Sequence, residues 1–363
     1  MLKNKLEVSN IPVKIIFDRL SKLSSLTQNA SVLLITSKGS IERGKSEDIK
    51  KLISPSEFNV WSDVSPNPTI SELEFSLSSL KDHIPEVIIA FGGGSVIDSA
   101  KVIKSAFCRK ALTIESLVNG TENNEAYDDI ELIAIPTTAG TGSEVTPFAT
   151  IWDDKNNSKL SLHGTQVFPT FALIDGQQCL SLDKNNTLYT ALDSISHCLE
   201  SLWNKNSNEN SRFFAFSSLE LSSSNLSEVL NHPKDVRARD NISRASTLSG
   251  LAISSTKTAV AHSISYPLTS IYGVPHGLAC SFTLKHLLEI NLESLSKNNG
   301  ELKILSNILL LLDEIDFKGH LNKYLDVDEL LSLSKAMSHP DRIKNYSGKE
   351  FQSVKNVLVS SLK

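Results

Sequence analysis

Hydrophobic positions in the first half of the chain fall into short aliphatic and β-branched runs separated by polar, helix-forming stretches. SVLLITS (31–37) precedes a polar helix expected from about Ile41; EFNVWS (57–62), the helical SELEFSLSSLKDHI (71–84) and PEVIIAFGGG (85–94) follow. ELIAIPTT (131–138), VTPFATIWD (145–153) and TFALID (170–175) predict further strands, with DDKNNSK as a hairpin or excursion between the last two. Strands alternating with helices predict an α/β domain, a parallel sheet covered by helices on both faces. After about Cys179 strand-like runs nearly vanish, and 3.6-residue periodicity, as in NTLYTALDSISHCLESLW (186–203), predicts an all-helical domain. The expected division is therefore residues 1–178 and 179–363.

Composition narrows the function classes. The 363 residues are 40% hydrophobic, enough for two full cores, and a net charge of -5 gives no global attraction to nucleic acid or to an anionic membrane surface. MLKNKLEVSN lacks the apolar core of a signal peptide, and no stretch approaches the roughly 20 apolar residues of a membrane span. The cytoplasm is the expected location and a small molecule the expected partner; a homo-oligomer is left open. Cys108, Cys179, Cys198 and Cys280 show no C-x-x-C spacing and read as buried thiols.

Two loops carry candidate cofactor chemistry. In VIIAFGGGSVIDSAKVI, Gly92, Gly93, Gly94 and Ser95 lie between an apolar strand and a helix expected to begin near Val96 or Ile97. Glycine lets backbone approach a phosphate closely, and the first helical turn offers N–H groups and a positive dipole end. Neither G-x-G-x-x-G nor the Walker pattern is present, and a triple glycine alone marks a tight turn as readily as a ligand loop. A second loop, IAIPTTAGTGSEVTPFA, also leaves a strand, and Thr137, Thr138, Thr141 and Ser143 there could donate to phosphate or ribose oxygens. Two such loops at strand ends suit a dinucleotide.

A third set suits a metal ion. Asp193 and His197 are four apart in a helical segment, which puts carboxylate and imidazole on one face, one turn apart. His262 and His276 are separated by Pro267, Gly273 and Pro275, so they converge only through tertiary folding. Three imidazoles and one carboxylate suit Zn, Fe(II), Co, Ni or Mn, and an open position would make the ion a Lewis acid. His83, His163, His232, His286, His320 and His339 lack ligand-like spacing or context and receive no role.

FGGGSVIDSAK, IPTTAGTGSEVT, ALDSISHCLE and an H-x13-H pair running into VPHGLACSF occur together in this order. In these motifs, over most of its length, the chain resembles the iron-containing (group III) alcohol dehydrogenase family, whose fold is dehydroquinate synthase-like. The resemblance implies a dinucleotide-binding N-terminal domain and a helical C-terminal domain binding one divalent metal, Fe(II) or Zn, through Asp193, His197, His262 and His276. It implies that Gly93, Gly94, Ser95 and Asp98 contact pyrophosphate and nearby ribose, Thr137, Thr138, Thr141 and Ser143 the nicotinamide half, and Lys159 a ribose. Hydride transfer in the cleft between the domains is likewise implied by the resemblance; the ligand spacing alone equally permits metal-assisted hydrolysis.

Three departures from the family's pattern refine the expectation. Many members have Thr-Asp after the first strand, where this chain has Thr36-Ser37 followed by Lys38-Gly39-Ser40, which favours NADPH over NADH because no carboxylate repels a 2'-phosphate. A family histidine four residues beyond the third ligand is replaced by Tyr266, a candidate proton donor or simply a packing residue beside Pro267. Lys257 stands where many relatives have a small residue, five positions before His262. With the segment 200–208 it resembles the phosphonoacetaldehyde reductase subgroup. The implied reaction reduces phosphonoacetaldehyde, an anionic aldehyde, to 2-hydroxyethylphosphonate, with Lys257 pairing to the phosphonate, helped by Lys205 or Arg212, or else merely solvated. The rival readings are a general short-chain alcohol or aldehyde dehydrogenase of the same family, a dehydroquinate synthase-like lyase, and a non-catalytic nucleotide sensor.

Overall fold

The computed structural model describes residues 5–6, 11–81, 83–109, 113–120, 129–156, 158–348 and 353–362. Two compact units form, residues 1–138 with 143–179, and residues 139–142 with 180–363. Ala139–Gly142 groups with the helical unit. The reason is visible in its glycines: a Cβ on Gly140 would stand 2.6 Å from the Thr190 carbonyl oxygen, and one on Gly142 2.4 Å from Gly250 Cα. Only a chain without side chains there can lie against those two helices.

The first unit is built on strands β1 (Lys5–Leu6), β2 (Lys14–Phe17), β3 (Ser31–Thr36), β4 (Glu57–Trp61), β5 (Val87–Gly92), β6 (Glu131–Pro136), β7 (Phe148–Asp153), β8 (Ser158–His163) and β9 (Phe171–Ile174). Seven make one sheet in the order β1-β2-β9-β6-β5-β3-β4, parallel except for β1, which runs antiparallel to β2. β7 and β8 form a separate hairpin. The excursion after Trp152 is thus a hairpin of its own, and β9 returns to the main sheet. β2 and β8 were not expected: KIIF is only four residues long, and SKLSLH keeps most of its positions half-exposed.

Period-two alternation places a core on each face of the sheet. Val32 and Leu34 of β3 point into a cluster with Leu23, Ile49 and Ile53, whereas Leu33 and Ile35 meet Leu73, Leu77, Ile97 and Ile103. Both faces are covered by helices, which is why β5 and β6 read as unbroken apolar runs. The polar region expected to be helical from Ile41 forms two short helices, Lys38–Glu42 and Lys45–Ile53, divided by Gly44 at φ 73°. The helix after the triple glycine starts at Gly94, two residues earlier than expected.

Among the described residues the second unit contains helices and no ladder strand. Its long helices Lys184–Leu202, Glu209–Asn231, Val236–Thr256 and Asn299–Asp313 open on Asp183, Asn208, Asp235 and Asn298, whose side chains accept first-turn N–H groups. The first three pack on one another. No helix among the described residues is long and apolar enough to cross a membrane.

Candidate metal centre and cofactor loops

Asp193 and His197 sit one turn apart on the buried face of the Lys184–Leu202 helix, at 4% and 5% exposure. His262 lies in the first turn of the Val260–Tyr272 helix and His276 opens the His276–Ala279 helix. The three imidazoles converge on one atom: Nε2 of His197, His262 and His276 stand 3.5, 3.6 and 3.8 Å from Asp193 Oδ1. Two donor atoms on one ion at about 2.1 Å are roughly 3.4 Å apart in a tetrahedral site, so each of these three separations is of the size expected between neighbouring ligand atoms. They are also too long for good hydrogen bonds. His262 Nε2 is buried with no hydrogen-bond partner, an expense that proteins otherwise avoid and that a cation would relieve.

The residues between the ligands explain the convergence. A Cβ on Gly277 would lie 1.8 Å from the Tyr189 carbonyl oxygen and 3.2 Å from Asp193 Cβ, so glycine after His276 is what lets the two helices meet. Behind His262, Glu200 is fully buried and accepts from His262 Nδ1 at 2.7 Å and from the backbone N–H groups of Ala259 (2.9 Å), Ala261 (2.6 Å) and His262 (3.3 Å). The acid fixes the His262 tautomer with Nε2 free to face Asp193. Glu200 escaped the sequence reading as a ligand-shell residue, although Asp193, His197 and Glu200 follow the i, i+4, i+7 spacing of one helix face.

The charges of the cluster are coupled: burial opposes charge on His262, but Glu200 and Asp193 outweigh it and raise its pKa above the ordinary value. Burial opposes the charge on Asp193, but the facing imidazoles, His197 foremost, hold its carboxyl below the usual range. Burial likewise opposes charge on Glu200, and His262 with the backbone donors outweighs it, so the carboxylate stays ionised. Burial pushes His197 down to about 4 against the pull of Asp193, leaving a neutral imidazole. Cys280 Sγ also enters the cluster: with donor atoms of Asp193, His262 and His276 it forms a group within 4.8 Å, and it donates to Asp193 Oδ1 at 3.4 Å. Burial and then the Asp193 charge raise its thiol well above the ordinary value; Cys280 and His197 both stand as candidates for the fourth ligand beside Asp193, His262 and His276.

Tyr266 lies one turn after His262 on the same helix, half-buried, and burial pushes its phenol to about 12 with Arg342 opposing. The Arg342 guanidinium stacks on its ring at 5.1 Å and His339 meets the same ring edge-on at 6.5 Å. Neither neighbour was expected from the sequence; His339 looked like an isolated pre-proline residue. Lys257 caps the Val236–Thr256 helix at φ 63°, with an exposed side chain. Lys205 is exposed, and Arg212 is engaged with Glu301 Oε2 and the Leu295 carbonyl oxygen, both at 2.9 Å.

In the first unit, Gly93 opens the Gly94–Cys108 helix and has no side chain with which to cap its first-turn N–H groups. A Cβ on Gly93 would sit 3.3 Å from the Thr138 side chain, which brings the two loops side by side, and Thr137 N donates to Gly92 O at 2.9 Å. Asp98 is committed internally: it accepts from Ser143 Oγ at 2.5 Å and from Thr150 N at 2.9 Å. The fully buried Lys101 completes the knot, donating to Ser143 Oγ, Thr146 Oγ1, Thr146 O and Phe148 O between 2.8 and 3.1 Å. Lys159 on β8 pairs in register with Trp152, and its charge reaches Asp98. At the end of β3, Ser37 caps the Lys38–Glu42 helix, its Oγ 3.1 Å from Ser40 Oγ, which accepts from Arg43 at 3.3 Å. Thr141 falls in the 139–142 segment that groups with the helical unit.

Comparison with known proteins places this architecture. The family model of iron-containing alcohol dehydrogenases matches residues 12–176, and the model of the family's C-terminal region matches residues 187–357. The chain is 35% identical to a phosphonoacetaldehyde reductase from Streptomyces viridochromogenes over 210 residues, 57% of this chain and 53% of that protein. It is 28% identical to aldehyde-alcohol dehydrogenase 2 from Entamoeba histolytica over 303 residues, 80% of this chain but 35% of that protein. The matches thus span about a third to a half of the length of these relatives. The fold of sulfoacetaldehyde reductase from Bifidobacterium kashiwanohense, crystallised with NAD+, superposes with a TM-score of 0.83 over 98% of both chains at 24% identity. On its two matched halves, the chain belongs to the iron-containing alcohol dehydrogenase family.

Proposed function

We propose that the protein is a metal-dependent, nicotinamide-linked reductase that converts an aldehyde to a primary alcohol, with phosphonoacetaldehyde giving 2-hydroxyethylphosphonate as its reaction. The observation that carries this reading is the convergence of three imidazole nitrogens on one oxygen of Asp193. A divalent ion held there would supply a Lewis acid for the carbonyl oxygen, and a bound dihydronicotinamide the hydride. Everything else is the work of the chain. Asp193, His197, His262 and His276 hold the ion; Glu200 orients His262; Cys280 donates to the Asp193 oxygen; Tyr266 holds a proton that its raised pKa keeps in place at neutral pH.

Gly93, Gly94 and Ser95 at the uncapped helix start are assigned to the cofactor pyrophosphate, and Thr137, Thr138, Thr141, Ser143 and Lys159 to its nicotinamide half and ribose. Asp98, with both oxygens engaged inside the protein, is assigned the supporting role of fixing Ser143. NADPH is the assigned cofactor, supported by Ser37 in place of a carboxylate and by the Arg43 guanidinium on Ser40. The phosphonate substrate is supported by the 35% identity to the Streptomyces reductase over the shared segment.

The test is purified protein loaded with Fe(II) or Zn, assayed for NADPH oxidation with phosphonoacetaldehyde and with propanal, beside its His262→Ala and His276→Ala variants. Metal-dependent turnover in the parent and loss of both metal and turnover in the variants is expected. Variants that keep bound metal and full turnover overturn the ligand assignment, and a parent that oxidises NADPH with neither aldehyde overturns the reaction.

A further inference from the structure

Arg342 stands out among the cations of the helical unit. It is half-buried, its guanidinium lies 5.1 Å over the ring of Tyr266, and among the described residues that guanidinium makes no ion pair and no hydrogen bond. Other arginines of the unit, the half-buried Arg212 and the buried Arg239, are engaged. Arg212 is paired with Glu301, and Arg239 donates to Thr187 Oγ1, Pro233 O and Leu182 O. Stacking on an aromatic face leaves the planar edge of a guanidinium, with its five N–H groups, open to a ligand. Tyr266 is one turn beyond His262 on the same helix.

The segment carrying Arg342 is built into the site. Ser263, next to His262, donates to Met337 O at 2.6 Å and accepts from His339 N at 2.8 Å. Asn345 Nδ2 donates to Thr258 O at 3.0 Å, Lys205 N to Asn345 O at 2.9 Å and Ser347 N to Trp203 O at 2.8 Å. Bonds on both sides of Arg342 thus tie it to the chain on either side of the ligand helices. The acid nearest to Arg342 in sequence, Asp341, is exposed and paired with Lys344, which leaves the half-buried guanidinium fork available to an anion that arrives with the ligand. The bidentate fork matches an oxyanion.

We propose that Arg342 is the specificity-determining residue that receives the anionic group of the substrate, a phosphonate, while the aldehyde end of the same molecule faces the candidate metal ligands. This deepens the reductase reading and rests on it. It gives the anion-binding role to Arg342 in preference to Lys257, an exposed residue at a helix end, and the two are separated by the test.

The test uses the metal-loaded full chain and its Arg342→Ala, Arg342→Lys, Lys257→Ala and Lys344→Ala variants, the last an exposed residue paired with Asp341. Two readouts are taken: the ratio of kcat/KM for phosphonoacetaldehyde to that for propanal, and calorimetric binding of 2-hydroxyethylphosphonate. Arg342→Ala should lower the ratio and weaken the phosphonate at least tenfold, chiefly through KM; Arg342→Lys should recover part of the binding, and Lys344→Ala none of the loss. Sulfoacetaldehyde and succinic semialdehyde in place of phosphonoacetaldehyde separate phosphonate from sulfonate and carboxylate: a larger Arg342 effect on either of those overturns the phosphonate assignment. Equal losses on charged and neutral aldehydes, or a collapse of the ratio with Lys257→Ala and not with Arg342→Ala, overturn the role of Arg342. If the parent reduces no aldehyde, the reductase reading fails by itself, and the calorimetry still decides whether Arg342 binds the phosphonate.

Discussion

Glu200 Oε2 lies 2.7 Å from His262 Nδ1, on the far edge of the ring from the nitrogen that faces Asp193. A carboxylate behind a ligand imidazole fixes its tautomer and raises its basicity, and losing such a partner typically costs 10- to 100-fold in metal affinity. Glu200→Gln, which preserves the volume, should weaken metal binding by about that factor, read by competition with a chromophoric chelator. Unchanged affinity would mean that Glu200 serves only the backbone N–H groups around Ala259 and Ala261.

Gly277 makes a steric prediction. With the Tyr189 carbonyl oxygen 1.8 Å from where its Cβ would be, Gly277→Ala must push the His276 turn away from Asp193. We expect a loss of about 3 kcal/mol in urea unfolding together with weaker metal retention. A variant as stable and as metal-rich as the parent would show that the helices separate at no cost.

Lys101 makes a pH prediction. Burial lowers its pKa from the ordinary 10.5 to about 8, with Asp98 and Glu144 opposing. Between those values the unfolded chain holds more protons than the folded one, so this group's contribution to stability rises with pH through that window and its penalty is fully present below pH 8. Lys101→Met removes this increment: the parent should gain stability relative to the variant on going from pH 7.5 to 9.5. At neutral pH the variant should still be the weaker by about 3 kcal/mol, because the largely enclosed Asp98 and the four oxygens around Lys101 lose their cation. Parallel pH profiles would place the titration elsewhere.

Cofactor choice is tested at the end of β3. Ser37→Asp puts a carboxylate where a 2'-phosphate would lie, and Arg43→Ala removes the guanidinium from Ser40. Each should shift the NADPH to NADH preference toward NADH by about tenfold, roughly 1.4 kcal/mol, read from the ratio of kcat/KM. An unmoved ratio in both would take these residues out of the cofactor site.

Local patterns made much of this molecule legible in its sequence. The buried parallel strands announce themselves as unbroken aliphatic runs, and the Asp193–His197 pair by its one-turn spacing. What stayed hidden depends on tertiary closeness. KIIF of β2 is too short to signal a strand until β9 pairs with it. Glu200 resembles any helical glutamate until Ala259, Ala261 and His262 present three N–H groups to it. Arg342 is 76 residues from Tyr266 in sequence, and nothing in the intervening chain foretells their stacking. Asp98, assigned to the cofactor by resemblance, gave no sign in the sequence of its partners Ser143 and Thr150, 45 and 52 residues away.

The four donors of the candidate centre are each held by contacts of the protein itself: His262 by Glu200, the His276 turn by the close approach at Gly277, Asp193 and His197 by a helix packed on two others. Such a centre is a socket rather than a nucleus for folding, unlike small domains that collapse around their ion. A socket of imidazoles and one carboxylate ranks the first-row elements in their common order of affinity and does little to reorder them. On the proposed ligand set, the ion seated would therefore follow the metal offered to the protein as well as its donors.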